Sequence, residues 1–167
     1  MKASDAIYCG FADYFIPETK WEDLKEKLVD TGNISWIKRF QGSTEASEIE
    51  NSFSQIAEAM VDISSKNIEL RLKHQFFEKD LSALRFNSPI SVAYTISRLK
   101  MEKVRNNISD ALDAEYSFTA RSQEFGDFQE GIRAVVIDKD RNPSWKHKSL
   151  TEVSEEDLHP FFQTIHR

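Results

Sequence analysis

The sequence predicts an all-α protein, an irregular multi-helix arrangement of about eight or nine helices of ordinary length. Apolar residues recur at intervals of three and four along nearly the whole chain, which is the helical period. Only 5 glycines and 4 prolines occur in 167 residues, too few for the many tight turns of an all-β fold. The apolar fraction of 40%, with 12 Phe and 3 Trp, is sufficient for a core and argues against general disorder.

The first 17 residues are a short apolar segment that ends at Pro17. Asp5 to Cys9 is predicted to be the last turn of a helix with Gly10 as its C-cap. Phe11 to Ile16 is predicted to be extended, because the residue before a proline avoids the helical region. So abrupt a start is unusual for a free-standing domain and indicates an element that continues upstream.

Serine and threonine mark several predicted helix starts. Thr19 with Glu22, and Ser47 with Glu50, have the capping-box spacing, in which each side chain satisfies an unpaired backbone N–H. The serine–proline pair at 88–89 is a further start signal, because serine caps and proline suits the first helical position. Ser154 is predicted to cap the last helix.

A later helix is predicted to bury an apolar stripe on one face. The stripe consists of Ile108, Ala111, Leu112, Glu115 and Thr119. A carboxylate on such a face, as at Glu115, is most often a paired structural charge, although burial also creates shifted acids and bases. After Gly126 stops this helix, Asp127 opens another. Residues 138–150 are then expected to form a polar loop that packs through Trp145.

Few residues are candidates for chemistry. The glycines stand apart, so no phosphate-binding glycine loop is present, and no two histidines share a helical face. With one cysteine, no metal site, disulfide or export is expected, and Cys9 is predicted to be a small buried hydrophobe. No catalytic residue is predicted. The basic residues of 139–148 are either solvated or positioned to meet an anionic group such as coenzyme phosphates.

Charge and hydropathy exclude two classes of partner. The net charge of -6 and pI of about 5.3 disfavour a nucleic-acid binder, which needs a basic face. No window approaches the roughly 18 consecutive apolar residues of a membrane span. We therefore expect a soluble cytoplasmic protein, or a mitochondrial matrix protein if the source is eukaryotic.

One long stretch carries a family resemblance. Residues 115–157 read EYSFTARSQEFGDFQEGIRAVVIDKDRNPSWKHKSLTEVSEED. A glutamate-led helix, a D-F-x-E-G-x-R-A run, I-D-K-D, a proline, W-K and a terminal V-x-E-E-D helix follow in that order. This order resembles the end of the 3-hydroxyisobutyryl-CoA hydrolases, a branch of the crotonase (enoyl-CoA hydratase/isomerase) superfamily.

A second stretch supports the same resemblance. Residues 5–17 read DAIYCGFADYFIP and are similar to the D-A-x-x-x-G-x-A-x-x-F-V-P segment that closes the crotonase core. The S-P-I-S at 88–91 resembles the start of a long helix at the expected place. The resemblance implies two parts, with residues 1–17 as the tail end of the crotonase core and residues 18–167 as a helical C-terminal domain.

The resemblance also implies a function without catalysis in this chain. In the family, the catalytic glutamate, a nearby aspartate and the oxyanion-hole amides all precede the D-A-x-x-x-G segment, so the α/β core that holds them is missing here. The substrate implied for the parent enzyme is a coenzyme A thioester from valine catabolism. Phe128, Arg133 and Lys139 are the residues expected near the coenzyme.

Three interpretations remain open from the sequence. The chain is a segment of a 3-hydroxyisobutyryl-CoA hydrolase-like protein, the same segment of an enoyl-CoA hydratase or isomerase, or a free-standing, non-catalytic helical interaction module. The I-D-K-D with its downstream P-x-W-K favours the first. In each, apolar surface near Tyr8 to Phe15 is expected to bind the missing core or a second copy of the chain, so an oligomer is expected.

Overall fold

Every regular element of the described residues is helical, which confirms the all-α prediction. The computed structural model describes residues 1–73, 75–101, 107–163 and 165, and contains no strand within those ranges. The α-helices are α1 Ala3–Tyr8, α2 Trp21–Thr31, α3 Ser35–Phe40, α4 Glu48–Asn51, α5 Phe53–Met60, α6 Ile68–Arg71, α7 Glu78–Phe86, α8 Pro89–Lys100, α9 Ile108–Arg121, α10 Phe128–Ile132 and α11 Glu155–Phe162. Three 3₁₀ turns (Glu18–Lys20, Gln75–Phe77 and Leu150–Glu152) and a π-helix, Arg133–Ile137, complete the described elements.

The chain divides into two compact units, residues 1–58 and 59–167. The division predicted at residue 17 concerns the two parts of a longer protein, and it stays a prediction. Within the first unit, the opening segment already has partners, because the backbone N–H of Gly42 donates to the carbonyl of Phe15 at 2.9 Å.

A buried carboxylate organises the first unit. Asp5, on α1, accepts a 2.7 Å hydrogen bond from the hydroxyl of Ser47 and a second bond from the backbone N–H of Ile49, at the start of α4. The backbone N–H of Lys2 also donates to this carboxylate and, with the Ser47 hydroxyl, lowers the pKa of Asp5 to about 2. The first helix is therefore joined to residues more than forty positions later in the chain.

The end of α1 is a glycine-dependent C-cap, as predicted. Gly10 lies in the left-handed region at φ 74°, and its N–H donates to the carbonyl of Ile7. The N–H of Phe11 donates to the carbonyl of Ala6, which completes a Schellman motif. The chain then leaves the helix as an irregular extended segment up to Pro17.

Helix α8 forms the centre of the second unit. Its Ile90 and Ala93 are fully buried, and the ring of Tyr94 stacks on Phe118 of α9 with centroids 4.4 Å apart. Phe161 of α11 lies 5.1 Å from the same Phe118 ring and is 1% exposed. Aromatic packing of this kind is a large part of core stability, so α8, α9 and α11 form one core.

The predicted helix starts were partly right. Ser47, Ser88 and Ser154 each accept a hydrogen bond from the N–H three residues later, as the capping pattern requires. The Thr19 capping box is wrong, because Thr19 lies inside the 3₁₀ turn and α2 begins after Lys20, which makes no side-chain cap bond. The apolar spacing also predicts that α8 continues to Val104 and that the asparagine pair 106–107 interrupts it, but Val104 and Asn106 lie outside the described residues.

The predicted stripe on α9 was assigned to the wrong face. Ile108 is 75% exposed, Leu112 is 59% exposed, and Glu115 is also exposed, so Glu115 is not a buried acid or base. The inward residues are instead Ser117 and Phe118, on the side that meets Tyr94. Spacing revealed that a stripe exists, but the neighbouring helices decided which face is buried.

Candidate functional site

The candidate site lies where α10 passes into the π-helix and the following loop, within the second unit. α10 begins after Asp127, whose carboxylate accepts hydrogen bonds from the Ser88 hydroxyl (2.6 Å) and the backbone N–H of Lys146 (2.9 Å). One buried carboxylate therefore joins the starts of α8 and α10 to the loop after them. These bonds fix the direction in which α10 presents Phe128, whose side chain is 47% exposed.

The guanidinium of Arg133 lies at the centre of the site. Nε and Nη2 donate to the two carboxylate oxygens of Glu130, at 2.9 and 2.8 Å. Nη1 donates to Asp138 at 2.6 Å and Asp140 at 2.8 Å, and Nη2 also donates to the carbonyl of Asn142 at 3.1 Å. A guanidinium has five N–H groups, and these five bonds use all of them.

The electrostatics of the cluster follow from this arrangement. Hydrogen bonding from Arg133, followed by the backbone N–H of Ser144, lowers the pKa of Glu130 to about 2. The same guanidinium lowers the pKa of Asp140, while its three carboxylate partners raise the pKa of Arg133. Glu130, Asp140 and Arg133 are therefore charged at neutral pH, and the cation is surrounded by acidic side chains of its own unit.

The loop that follows has an unusual backbone. Lys139 and Arg141 lie in the left-handed region, at φ 57° and 53°, which is uncommon for residues other than glycine. The N–H of Arg141 donates to the carbonyl of Ala134, and the N–H of Asn142 donates to the side chain of Asp140. Lys139 and Arg141 are both exposed, so the loop directs these two cations to solvent.

Of the three predicted coenzyme residues, Arg133 is the centre of the cluster, and Lys139 lies in the chain between two of its partners. Arg133 contacts Asp138 and Asp140, the two neighbours of Lys139 in the chain. Phe128 is the first residue of α10, whereas Arg133 is the first residue of the π-helix that follows it. Contact with a coenzyme stays a prediction for all three residues. Sequence reasoning missed the acidic partners, although Glu130 three residues before Arg133 and the D-K-D repeat were available signals.

Trp145 anchors the far end of the loop, as predicted. Its indole N–H donates to the carbonyl of Phe86 at 3.0 Å, and its ring lies 3.7 Å from the place that a Cβ on Gly131 would occupy. Beyond it, His147 is nearly buried, with Nε2 3.2 Å from the Asp157 carboxylate. The loop 138–150 is therefore polar but attached at both ends.

Cys9 corrects another expectation. The thiol was predicted to be a small buried hydrophobe, and it is exposed at the C-cap of α1, because the capping turn places this position on the outside. Around it, Tyr8 is 40% exposed, Phe11 75% and Tyr14 42%. The segment predicted to carry an apolar surface therefore presents three aromatic side chains to solvent.

The described residues contain neither a cluster of metal ligands nor a membrane-spanning helix. Within them, no three His, Cys, Asp or Glu side chains gather in a way that holds a metal ion. No helix in the same ranges is both long and apolar enough to cross a bilayer. His74 and His166, two of the four histidines, lie outside these ranges.

Comparison with known families identifies the fold around this site. The model of the family described as enoyl-CoA hydratase/isomerase matches residues 1–162. The chain belongs to this family. A solved structure described as an enoyl-CoA hydratase from Rhodobacter sphaeroides 2.4.1 superposes with a TM-score of 0.84 and is 33% identical in sequence. The superposition covers 99% of this chain and 48% of the Rhodobacter sphaeroides chain. The family membership confirms the resemblance in residues 115–157 and 5–17.

Curated relatives point to one branch of the family. Mitochondrial 3-hydroxyisobutyryl-CoA hydrolases from Rattus norvegicus and Homo sapiens are each 29% identical over 99% of the chain and 46% of their own length. A carnitinyl-CoA dehydratase from Mycobacterium thermoresistibile, at 24% identity and a TM-score of 0.84, shares the fold. The chain thus spans about half the length of the curated relatives it matches.

Proposed function

We propose that this chain is the helical C-terminal part of an acyl-CoA-processing enzyme resembling 3-hydroxyisobutyryl-CoA hydrolase, which hydrolyses a thioester in valine catabolism. In this proposal the chain shapes the thioester pocket and does not catalyse by itself. The observation that carries it is the family match over residues 1–162 in a chain that spans 46% of its curated relatives. The catalytic carboxylates and oxyanion-hole amides belong to the remaining part, the α/β core.

The exposed apolar side chains support a covering partner. Among the described residues, 23 large apolar side chains are exposed, against 13 apolar residues that are buried. Contiguous exposed apolar surface typically marks an interaction site in a soluble protein. We propose that the surface from Tyr8 to Phe15 binds the α/β core, and that in its absence a second copy of the chain covers it.

The coenzyme side of the proposal concerns the Arg133 cluster. Phe128 presents an exposed ring, and Lys139 an exposed cation on a loop with a defined backbone, two chemistries suited to the ring system and phosphates of coenzyme A. Arg133 lies beside them in the chain and supports the loop. We place the three residues near the coenzyme of the complete enzyme.

Activity of the isolated chain tests the absence of catalysis. The purified chain is incubated with 3-hydroxyisobutyryl-CoA, with thiol release as the readout, and with an enoyl-CoA, with loss of the conjugated absorbance as the readout. We expect no turnover above that of a mock preparation. Turnover that persists through further purification and exceeds the mock preparation would contradict the proposal.

Cys9 provides a direct probe of the docking surface. It is the only cysteine and is exposed between Tyr8 and Phe11, so the labelling rate of its thiol reports whether this surface is covered. We expect labelling to slow as protein concentration rises, and Phe11→Ser to restore the fast rate. Val29→Ser, at an 84% exposed position on α2, is the matched control and should behave as wild type. A concentration-independent rate with a monomeric mass by light scattering would argue against this surface.

A second candidate function has its own support. The Rhodobacter sphaeroides structure is described as an enoyl-CoA hydratase and is 33% identical over nearly the whole chain, so the parent enzyme is alternatively a hydratase or isomerase. The substrate of the complete protein decides between the two: thiol release supports the hydrolase, and reversible hydration without thiol release supports the hydratase.

The third interpretation is a free-standing helical module, with a separately encoded crotonase half as its partner. The coding DNA immediately upstream distinguishes it from the other two, because a crotonase core in the same reading frame makes the chain part of one enzyme.

For the location of the protein, we propose the cytoplasm, or the mitochondrial matrix if the source is eukaryotic. The support for the matrix is that the curated relatives are named as mitochondrial.

A further inference from the structure

Along the loop, residues that are hydrogen-bonded to Arg133 alternate with residues whose backbone is left-handed. Asp138, Asp140 and Asn142 each accept a hydrogen bond from the guanidinium, at 2.6, 2.8 and 3.1 Å. Lys139 and Arg141, which lie between them, have the left-handed backbone and exposed side chains. One guanidinium therefore binds every residue that flanks the two unusual ones.

This alternation has a physical consequence. A left-handed backbone is sterically strained at a residue other than glycine, so the loop needs an interaction that offsets this strain. The flanking residues are bound to Arg133, and the residues between them face solvent. The same bonds that hold the backbone in place thus direct two cationic side chains outward together.

The saturation of Arg133 argues against a direct ligand role. All five of its N–H donors are occupied, and its side chain is only 32% exposed. A ligand phosphate would have to displace Glu130, Asp138 or Asp140 and would meet their negative charges. Lys139 and Arg141 are exposed, and neither forms an ion pair within the part of the chain that the structure describes.

We propose that Arg133 is a positioning residue, which holds segment 138–142 in its left-handed path so that Lys139 and Arg141 together face the phosphates of a coenzyme A thioester. The positioning role stands on the geometry of this chain alone. The identity of the ligand rests on the proposed function. Arg141, one of the basic residues of 139–148 that the sequence offers to an anionic group, becomes the second cation of the pair.

The positioning role is tested by the mobility of the loop. Arg133→Met keeps the apolar stem and removes all five donors, and Arg133→Lys keeps the charge but loses the planar fork. We expect the hydrogen-bonded backbone amides of Arg141, Asn142 and Ser144 to exchange at least tenfold faster in Arg133→Met. Trypsin should also cleave faster after Lys139 and Arg141, and Arg133→Lys should lie between Arg133→Met and wild type. Arg85→Met, which removes one exposed ion pair with Glu69, is the matched control and should leave the loop unchanged.

The folded state of each variant is verified by circular dichroism and by protection of the α8 amides. A folded Arg133→Met variant with wild-type exchange and cleavage in the loop would overturn the positioning role. Should Arg133→Met fail to fold, the milder Asp138→Asn/Asp140→Asn double variant replaces it. That variant weakens two of the five bonds, and it must also loosen the loop for the proposal to hold.

The ligand is tested separately with coenzyme A as the probe, by calorimetry on the complete protein. We expect Lys139→Gln and Arg141→Gln each to weaken binding by about tenfold, the scale of one charge-assisted phosphate contact. Arg133→Met should weaken binding similarly while its loop becomes mobile. If the loop loosens but the Lys139→Gln and Arg141→Gln variants bind as wild type, the positioning role holds and the proposed coenzyme contact fails.

Discussion

The hydroxyl of Ser88 donates a 2.6 Å hydrogen bond to the carboxylate of Asp127, and both side chains are buried. The first residue caps α8, and the second precedes α10, so this bond connects two helix starts that are 39 residues apart. The other carboxylate oxygen of Asp127 accepts a hydrogen bond from the backbone N–H of Lys146, which lies in the loop 138–150. The candidate site is therefore attached to the central helix of its unit by one side chain.

Asp127→Ala is expected to lower the free energy of unfolding by about 1–3 kcal/mol, because it leaves the Ser88 hydroxyl and the Lys146 N–H without their acceptor. Asp127→Asn keeps an acceptor oxygen and should lose less. Denaturant unfolding measures both. Asp113→Ala, at an exposed position of α9, is the control and should change stability by less than about 0.5 kcal/mol. Equal stability of Asp127→Ala and Asp113→Ala would show that the bond is not stabilising.

Two apolar truncations distinguish the predicted stripe from the observed core. Phe161→Ala removes a ring that is 1% exposed and should cost about 3–5 kcal/mol. Leu112→Ala removes a side chain that is 59% exposed, and it should cost less than about 0.5 kcal/mol in the isolated chain. Urea unfolding of the monomeric species checks both values. A large cost for Leu112→Ala would place it in a core and would support the original stripe.

Alanine substitutions at two glycines are expected to change the stability of the fold in opposite directions. Gly32 ends α2 at φ 61° with open space around it, so Gly32→Ala should cost roughly 1–2 kcal/mol from the backbone alone. Gly131 lies within α10, where an added Cβ meets the Trp145 ring at an ordinary 3.7 Å. Gly131→Ala should therefore stabilise by up to about 1 kcal/mol. Thermal unfolding of the two variants measures the contrast, and a destabilised Gly131→Ala would contradict it.

The Arg133 cluster predicts a pH dependence. The pKa of Glu130 is about 2 in the folded chain, below its ordinary value of 4.5, so its contribution to stability is complete above pH 4.5. That contribution is lost as pH falls from about 4.5 towards 2, because the unfolded chain binds the proton first. Across this pH range, the free energy of unfolding should decline less steeply for Glu130→Gln than for wild type. Parallel curves for the two proteins would show that Glu130 does not contribute this dependence.

The helix ends were predictable because capping is local. Ser47, Ser88 and Ser154 each bond a backbone N–H three residues away, a distance that sequence spacing alone defines. Gly10 and Gly32 terminate helices for the same kind of reason, since the left-handed backbone favours glycine. Thr19 failed because a 3₁₀ turn occupies the place where the α-helix was expected, and the two turns compete for the same residues.

The sequence by itself determined the helical class, several helix ends and the family, since each depends on residues close together in the chain or on motifs in a fixed order. Only the tertiary structure decided which side of α9 is buried, because that depends on where the rings of Tyr94 and Phe161 lie. It also decided the surroundings of Arg133, whose partners extend from Glu130 to Asn142 and converge only when the loop folds back. Hydrogen-bond saturation is a property of converging segments, and no periodicity encodes it.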